Sequence, residues 1–319
     1  MSVMNQRPEK EVFEEVALLK SIAPSFIEKD WFVTQIIAVL ADHHADGFEF
    51  VFTGGTALSK AYNLIKRFSE DVDFRVIAPT TPQSRKTLSK FKHGVVERLQ
   101  QSGFAIEEGH IQARDENRFF SIDFCYPSHF SRSDALRPHV QIEISVRTPQ
   151  RPPCYLPVSS IACAVTKKPA EVSRIACIDP VESAADKLSA LAWRIPDRVR
   201  GMQEDDPALV RHIHDLALLK EFAFADKNFS SLVAASMHDD DRRSKNNPSF
   251  AGSSMQEKFR QMIQILETDT KYQDEYELFV KSVSYAAFRI WLIQHYPLIA
   301  PASTCCNISE ADLVHFNDK

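Results

Sequence analysis

The stretch Phe48-Glu-Phe-Val-Phe-Thr-Gly-Gly-Thr-Ala-Leu-Ser-Lys60, followed by Asp71-Val-Asp-Phe-Arg-Val-Ile77, decides how this chain folds. Phe48–Thr53 is short and β-rich, and predicts a strand. Thr56–Arg67 predicts a helix. Asp71–Ile77 alternates and predicts a second strand. The chain has only eight glycines in 319 residues, yet Gly54 and Gly55 stand together in the turn. Adjacent glycines let a backbone turn tightly and approach a ligand closely. A helix start behind them offers free N–H groups suited to phosphate. The P-loop pattern is absent, and no third glycine completes a dinucleotide fingerprint. Alone, such a turn is a weak signal, more often a tight chain reversal than a ligand site.

The second strand adds chemistry. Asp71 and Asp73 are two apart, so both carboxylates project from one face. Side-by-side carboxylates repel unless a cation or proton intervenes, and hard oxygens are what Mg²⁺ takes. Glu143, in the alternating run Val140-Gln-Ile-Glu-Ile-Ser-Val146, joins that face if the strands are neighbours. Asp123, in Ser121-Ile-Asp-Phe124, is the rival for third acid. Three carboxylates beside a phosphate-binding turn suit metal-dependent nucleotidyl transfer.

Working outward, helices are expected at Glu9–Ala23, at Phe26–His44 with Ser25 as N-cap, and at Pro82–Ser102. Further strands are expected at Phe104–Ile111, Phe119–Tyr126 and Val140–Arg147. Pro149, Pro152, Pro153 and Pro157 then break the chain into extended segments. Beyond Pro180 the expected helices are Val181–Arg194, Pro207–Phe222, Asn228–Met237, Gln256–Thr268 and Tyr272–His295. A polar loop is expected over His238–Ser254, and a tail from Pro297.

Composition excludes several classes. The chain is 44% apolar and 25% charged, with 22 Phe, which excludes wholesale disorder. No run approaches the ~18 apolar residues of a membrane span, and the N-terminus lacks a signal core. A cytoplasmic location without membrane attachment is the expectation. The net charge of −5 excludes a wholly basic nucleic-acid coat. Residues 132–200 nevertheless hold eleven Lys/Arg against seven Asp/Glu, a local excess able to attract an anion. The six cysteines form no C-x-x-C pair, and reduced thiols are expected, Cys305 and Cys306 included.

The run Gly54 to Phe74, with Gly54-Gly-Thr56 and Arg67-Phe-Ser-Glu-Asp-Val-Asp73, resembles the first motif of the AbiEii/AbiGii-type nucleotidyltransferase toxins. These are MenT-like relatives of the polymerase-β superfamily. Fourteen residues separate Thr56 from Asp71, where the superfamily has about ten; the longer helix and the Arg67–Asp71 run look particular to this branch. Asp179-Pro-Val-Glu-Ser-Ala-Ala-Asp-Lys187 resembles the family's lysine-bearing helix, and Arg211-His-Ile-His-Asp215 its final motif. The resemblance covers residues 53–216.

It implies an α+β fold: a polymerase-β-like nucleotidyltransferase domain with mixed sheet and N-terminal helices over residues 1–178, and a helical C-terminal domain over 179–319. It implies a toxin that moves NMP from an NTP to RNA, notably a tRNA 3′ end, with Mg²⁺ as cofactor and a cognate antitoxin as partner. Gly54, Gly55 and Thr56 would cradle the triphosphate, with Ser69 a hydroxyl at the edge. Asp71, Asp73 and Glu143 would hold metal, and Lys187 would neutralise pyrophosphate. Asp215 would orient Lys187 or take the acceptor's proton, and Arg211 would contact phosphate. Physically, Lys187 has no acid at helical spacing, and Arg211 and Asp215 at i,i+4 could equally form a plain ion pair. His212 reads as a surface residue. A small-molecule or protein acceptor, or a silent NTP-binding module, are the alternatives.

Overall fold

A computed structural model describes residues 3–43, 47–79, 83–131, 133, 136–202, 205–243 and 252–283. Contacts divide the chain into two compact units, Met1–Asp179 and a second beginning at Pro180.

The first unit is built on a seven-stranded mixed sheet in the order β3-β4-β5-β2-β1-β7-β6. The strands are β1 (Glu49–Thr53), β2 (Val72–Ile77), β3 (Ile111–Arg114), β4 (Phe119–Phe124), β5 (Val140–Val146), β6 (Cys154–Val158) and β7 (Val172–Cys177). β2 pairs antiparallel with β1 and parallel with β5, so the two motif strands lie at the centre. Phe52, Val72, Phe74, Ile142, Ile144, Phe120 and Ile122 alternate onto one face and are buried there. Helices α1 (Lys10–Lys20), α2 (Pro24–Ala41) and α4 (Arg85–Gln101) contribute Phe13, Ile36, Ile37, Phe91, Val95 and Leu99 to the same core. The sheet's period of two therefore leaves the intervening acids on the opposite face.

Helix α2 is buried nearly all round. Its N-cap is Ala23, with Pro24 in the first turn, rather than Ser25. Within its apolar run Glu28, Lys29 and Asp30 are also buried, each with a partner.

Several expectations are corrected. Helix α3 is only Gly54–Lys60; it ends where Asn63 takes a positive φ of 53°, and the extra spacing before Asp71 is loop rather than longer helix. Residues 104–110 make no strand. Phe104 and Ile106 are buried, but Phe104 N bonds back to Leu99 and Ile106 O accepts from Gln100, so the alternation serves packing at the helix end. β6, β7 and the short α5 (Ile161–Val165) turn the Pro-rich stretch into ordered edge structure.

The second unit is helical: α6 (Pro180–Asp197), α7 (Val210–Ala225), α8 (Phe229–Arg243), α9 (Met255–Thr268) and α10 (Lys271–Val283). α6 packs on α7, α8 and α9. α8 runs on past His238, where a loop is expected. Asp240 accepts from Ser189 Oγ at 2.6 Å, and Asp241 holds Lys258 Nζ at 2.6 Å, so the polar turns are fixed by neighbours. Residues 244–251, the end of the helix expected to reach His295, and the tail with Cys305 and Cys306 lie outside the described residues. Cys125, Cys154, Cys163 and Cys177 are free thiols. Among the described residues no helix is long and apolar enough to cross a membrane.

Candidate active site

Register brings the acids together. Asp73 on β2 pairs with Thr53 on β1 and with Glu143 on β5. Opposed residues on adjacent strands share a face, so Asp73 and Glu143 are neighbours, with Asp71 two positions along. Asp123 sits one strand further out, opposite Gln141, from whose Nε2 it accepts at 3.4 Å. Glu143, not Asp123, is thus the acid beside Asp73.

The glycine turn is fitted to this face. Gly54 has φ +76°, and a Cβ there would lie 1.9 Å from Asp73 Oδ2. Only a residue without a side chain allows both the left-handed backbone and that carboxylate. A Cβ on Gly55 would lie 2.5 Å from Arg67 Nη2 and 3.0 Å from Ser69 Oγ. The loop that replaces the expected helix extension thus runs beneath the turn. Thr56 is buried; its hydroxyl bonds to the main-chain oxygen of Asp71 and is 2.9 Å from Ser69 Oγ. Thr56 and Ser69 therefore tie the turn to the start of β2, and the Thr56 hydroxyl is used inside the protein.

Asp71 is not left to itself. Arg137 Nη1 lies 2.9 Å from Asp71 Oδ1 and 2.9 Å from Gln141 Oε1. Arg137 N donates to Glu70 Oε2 at 3.0 Å, and Glu70 is also ion-paired with Lys29. Burial pulls the Lys29 ammonium below the usual lysine range, and the Glu70 carboxylate opposes that pull. Sequence reading missed this trio. Its one trace is the charged triplet Glu28-Lys29-Asp30 inside an apolar helix, which signals buried ion pairs.

Among the described residues no three His, Cys, Asp or Glu side chains are grouped as a ready metal cage. The donor chemistry of Asp71, Asp73 and Glu143 still fits a hard divalent cation, with Asp71 at present on a guanidinium.

In the second unit, Lys187 on α6 and Asp215 on α7 meet at 2.9 Å, both buried. The lysine's partner comes from the next helix, which helical spacing alone could not reveal. Arg211 Nη2 is 3.4 Å from Asp206 Oδ2. His212 is half-buried rather than a free surface group, and its Nδ1 is enclosed without a partner among the described residues. Burial, reinforced by the Lys187, Arg211 and Arg194 cations, holds its pKa well below the ordinary histidine value.

Comparison with known proteins gives the family. The structure is similar to that of MenT4, a nucleotidyltransferase toxin from Mycobacterium tuberculosis H37Rv, with 13% identity and a TM-score of 0.36 over 84% of this chain and 98% of that one. No curated protein matches the chain. The family model described as nucleotidyl transferase AbiEii toxin, type IV toxin–antitoxin system, matches residues 38–294. The chain accordingly belongs to the AbiEii family of nucleotidyltransferase toxins.

Proposed function

We propose that this enzyme transfers a nucleoside monophosphate from an NTP to an RNA acceptor, a tRNA 3′ end, and does so with Mg²⁺. The observation that carries the reading is the Asp73 carboxylate packed against Gly54 and register-paired with Glu143. That arrangement sets the glycine turn at the start of a helix directly against hard oxygen donors. Asp71, Asp73 and Glu143 would hold the metal, which when bound supplies neutralisation of the triphosphate's charge. The amides of Gly54 and Gly55 would receive phosphate oxygens. The acceptor oxygen forms its bond to the α-phosphorus as the bond to pyrophosphate breaks, and positioning with charge neutralisation provides most of the rate. The assignment of Lys187 to the pyrophosphate, Asp215 to orienting it and Arg211 to phosphate rests on the sequence motifs. So does the expectation of an antitoxin partner.

An RNA acceptor is supported by charge on the first unit. The excess cations of residues 132–200 are largely spent internally: Arg137, Arg151, Lys187, Arg194, Arg198 and Arg200 are all in ion pairs. Helix α4 carries Arg85, Lys86, Lys90, Lys92 and Arg98 against the single acid Glu97. The first four line one shallow concavity with Ser89 and Asn117. Such a face suits a phosphate backbone.

The test is incubation with each α-³²P-labelled NTP, Mg²⁺ and total tRNA, with Asp71→Ala and a chelator control alongside. Label on tRNA that disappears in both controls is the expected result. Label on protein or on a small metabolite keeps the active site and overturns the RNA acceptor. No label with any NTP, from folded protein, overturns the transfer reading itself in favour of a silent binding module. Binding to α4 also predicts that acceptor affinity falls steeply with salt.

A further inference from the structure

Arg137 belongs to none of the motifs, yet it is bonded to the site's first carboxylate. Its two ends are held very differently. The main chain is clamped on both sides by one ion pair. Its N–H donates to Glu70 Oε2 at 3.0 Å, and its carbonyl accepts from Lys29 Nζ at 2.8 Å. Lys29 is fully buried and paired with Glu70, so this anchor is rigid. The guanidinium, in contrast, is over a third exposed and lies on Asp71 Oδ1 and Gln141 Oε1, each at 2.9 Å. A partly exposed pair of this kind is weak enough to exchange. A guanidinium on a fixed anchor that lets go of a carboxylate also matches phosphate oxygens, which it can bind in a fork.

From this geometry we infer that Arg137 is a positioning residue that makes metal binding depend on the nucleotide. Alone, a divalent cation must displace the guanidinium from Asp71 and leave it without an anionic partner other than Glu70. With an NTP present, the displaced guanidinium moves to the triphosphate while the cation takes Asp71. Each ligand thereby strengthens the other, which is a coupling free energy between two sites. The inference rests on the proposed metal role of Asp71.

The experiment measures Mn²⁺ binding by electron paramagnetic resonance, with and without a non-hydrolysable NTP analogue, in full-length protein. Wild type is expected to bind Mn²⁺ weakly alone and more tightly with the analogue. In Arg137→Gln, Mn²⁺ alone should bind about fivefold more tightly, the scale of a partly exposed ion pair, and the enhancement by analogue should shrink. Arg137→Lys, which keeps the charge but not the fork, should keep the weak binding of Mn²⁺ alone and separates the charge effect from disturbance of the loop. Asp71→Asn tells the two levels apart. If Asp71→Asn leaves Mn²⁺ binding intact, the metal role of Asp71 fails and this inference with it. If Asp71→Asn abolishes binding but Arg137→Gln leaves affinity and enhancement unchanged, the metal role stands and the inference about Arg137 is overturned.

Discussion

Two cation–carboxylate pairs of equal length hold key acids in this protein. Lys187–Asp215, in the helical unit, spans 2.9 Å with side chains 8% and 0% exposed. Arg137–Asp71, at the start of the central strand β2, also spans 2.9 Å, but with side chains 36% and 22% exposed. Distance therefore says little about what each pair does. In the first, water is excluded, and losing either partner strands a charge in a poor solvent. In the second, water can replace either partner, and the pair is screened. The buried pair is suited to keep one geometry, and the exposed pair to open.

The strongest way to break this contrast is Asp215→Ala. It leaves the Lys187 ammonium buried and uncompensated, and should cost about 3–5 kcal/mol of stability, measured by urea unfolding. The double variant Lys187→Met, Asp215→Leu should recover most of that stability while leaving transfer abolished. A loss for Asp215→Ala below about 1 kcal/mol would mean that Lys187 escapes to water and that the two pairs are alike.

The next effect belongs to the sheet. Gly54→Ala forces an L side chain to φ +76° and into Asp73 Oδ2. The strained backbone alone should cost about 1–3 kcal/mol. The displaced carboxylate should lower transfer by about 10²-fold, the usual scale for a misplacement near 1 Å. Normal transfer by this variant would separate the glycine contact from catalysis.

The contrast also shows what a sequence can carry. Asp71 and Asp73 are legible because a strand's period of two puts them on one face without knowledge of its neighbours, whereas the choice of Glu143 over Asp123 needed the β2–β5 register. Lys187 and Asp215 are legible only as motif residues, since the 2.9 Å contact joins helices with no shared periodicity. The trio Lys29, Glu70 and Arg137 is almost silent in the sequence, because its members come from three distant segments. The same physics explains the misread elements. Phe104 and Ile106 alternate like a strand, but burial alone produced that pattern, and only a partner strand could have made it a ladder. Helix α3 looks longer in sequence because residues 61–67 have ordinary helix formers. Its actual end is set by the need to pass Arg67 and Ser69 under Gly55.

A smaller effect probes the surroundings of the buried pair by pH. His212 faces the cations Lys187, Arg211 and Arg194, with Asp215 the opposing charge. Its folded pKa is held below the unfolded value of about 6.5, so beneath that pH the unfolded chain takes up a proton that the folded chain refuses. Stability should therefore fall as pH drops below about 6.5, by up to about 1.4 kcal/mol per pH unit from this group. His212→Asn should flatten that part of the profile in thermal unfolding between pH 5 and 7. An unchanged slope would show that the imidazole protonates freely and that the environment of Lys187 is wetter than its burial indicates.

The smallest effect is the sharpest for the exposed pair. Arg137→Gln keeps both main-chain bonds to the Lys29–Glu70 anchor and removes the guanidinium from Asp71, Gln141 and the rim of Glu70. Its cost in urea unfolding should be below about 1 kcal/mol, the range of partly exposed ion pairs, and should shrink further in high salt. A loss approaching that of Asp215→Ala would place Arg137 among the fixed structural cations. Its guanidinium would then be held as firmly as the Lys187 ammonium, and Asp71 could not readily exchange it for another cation. A small, salt-sensitive loss is what a carboxylate held ready for replacement requires.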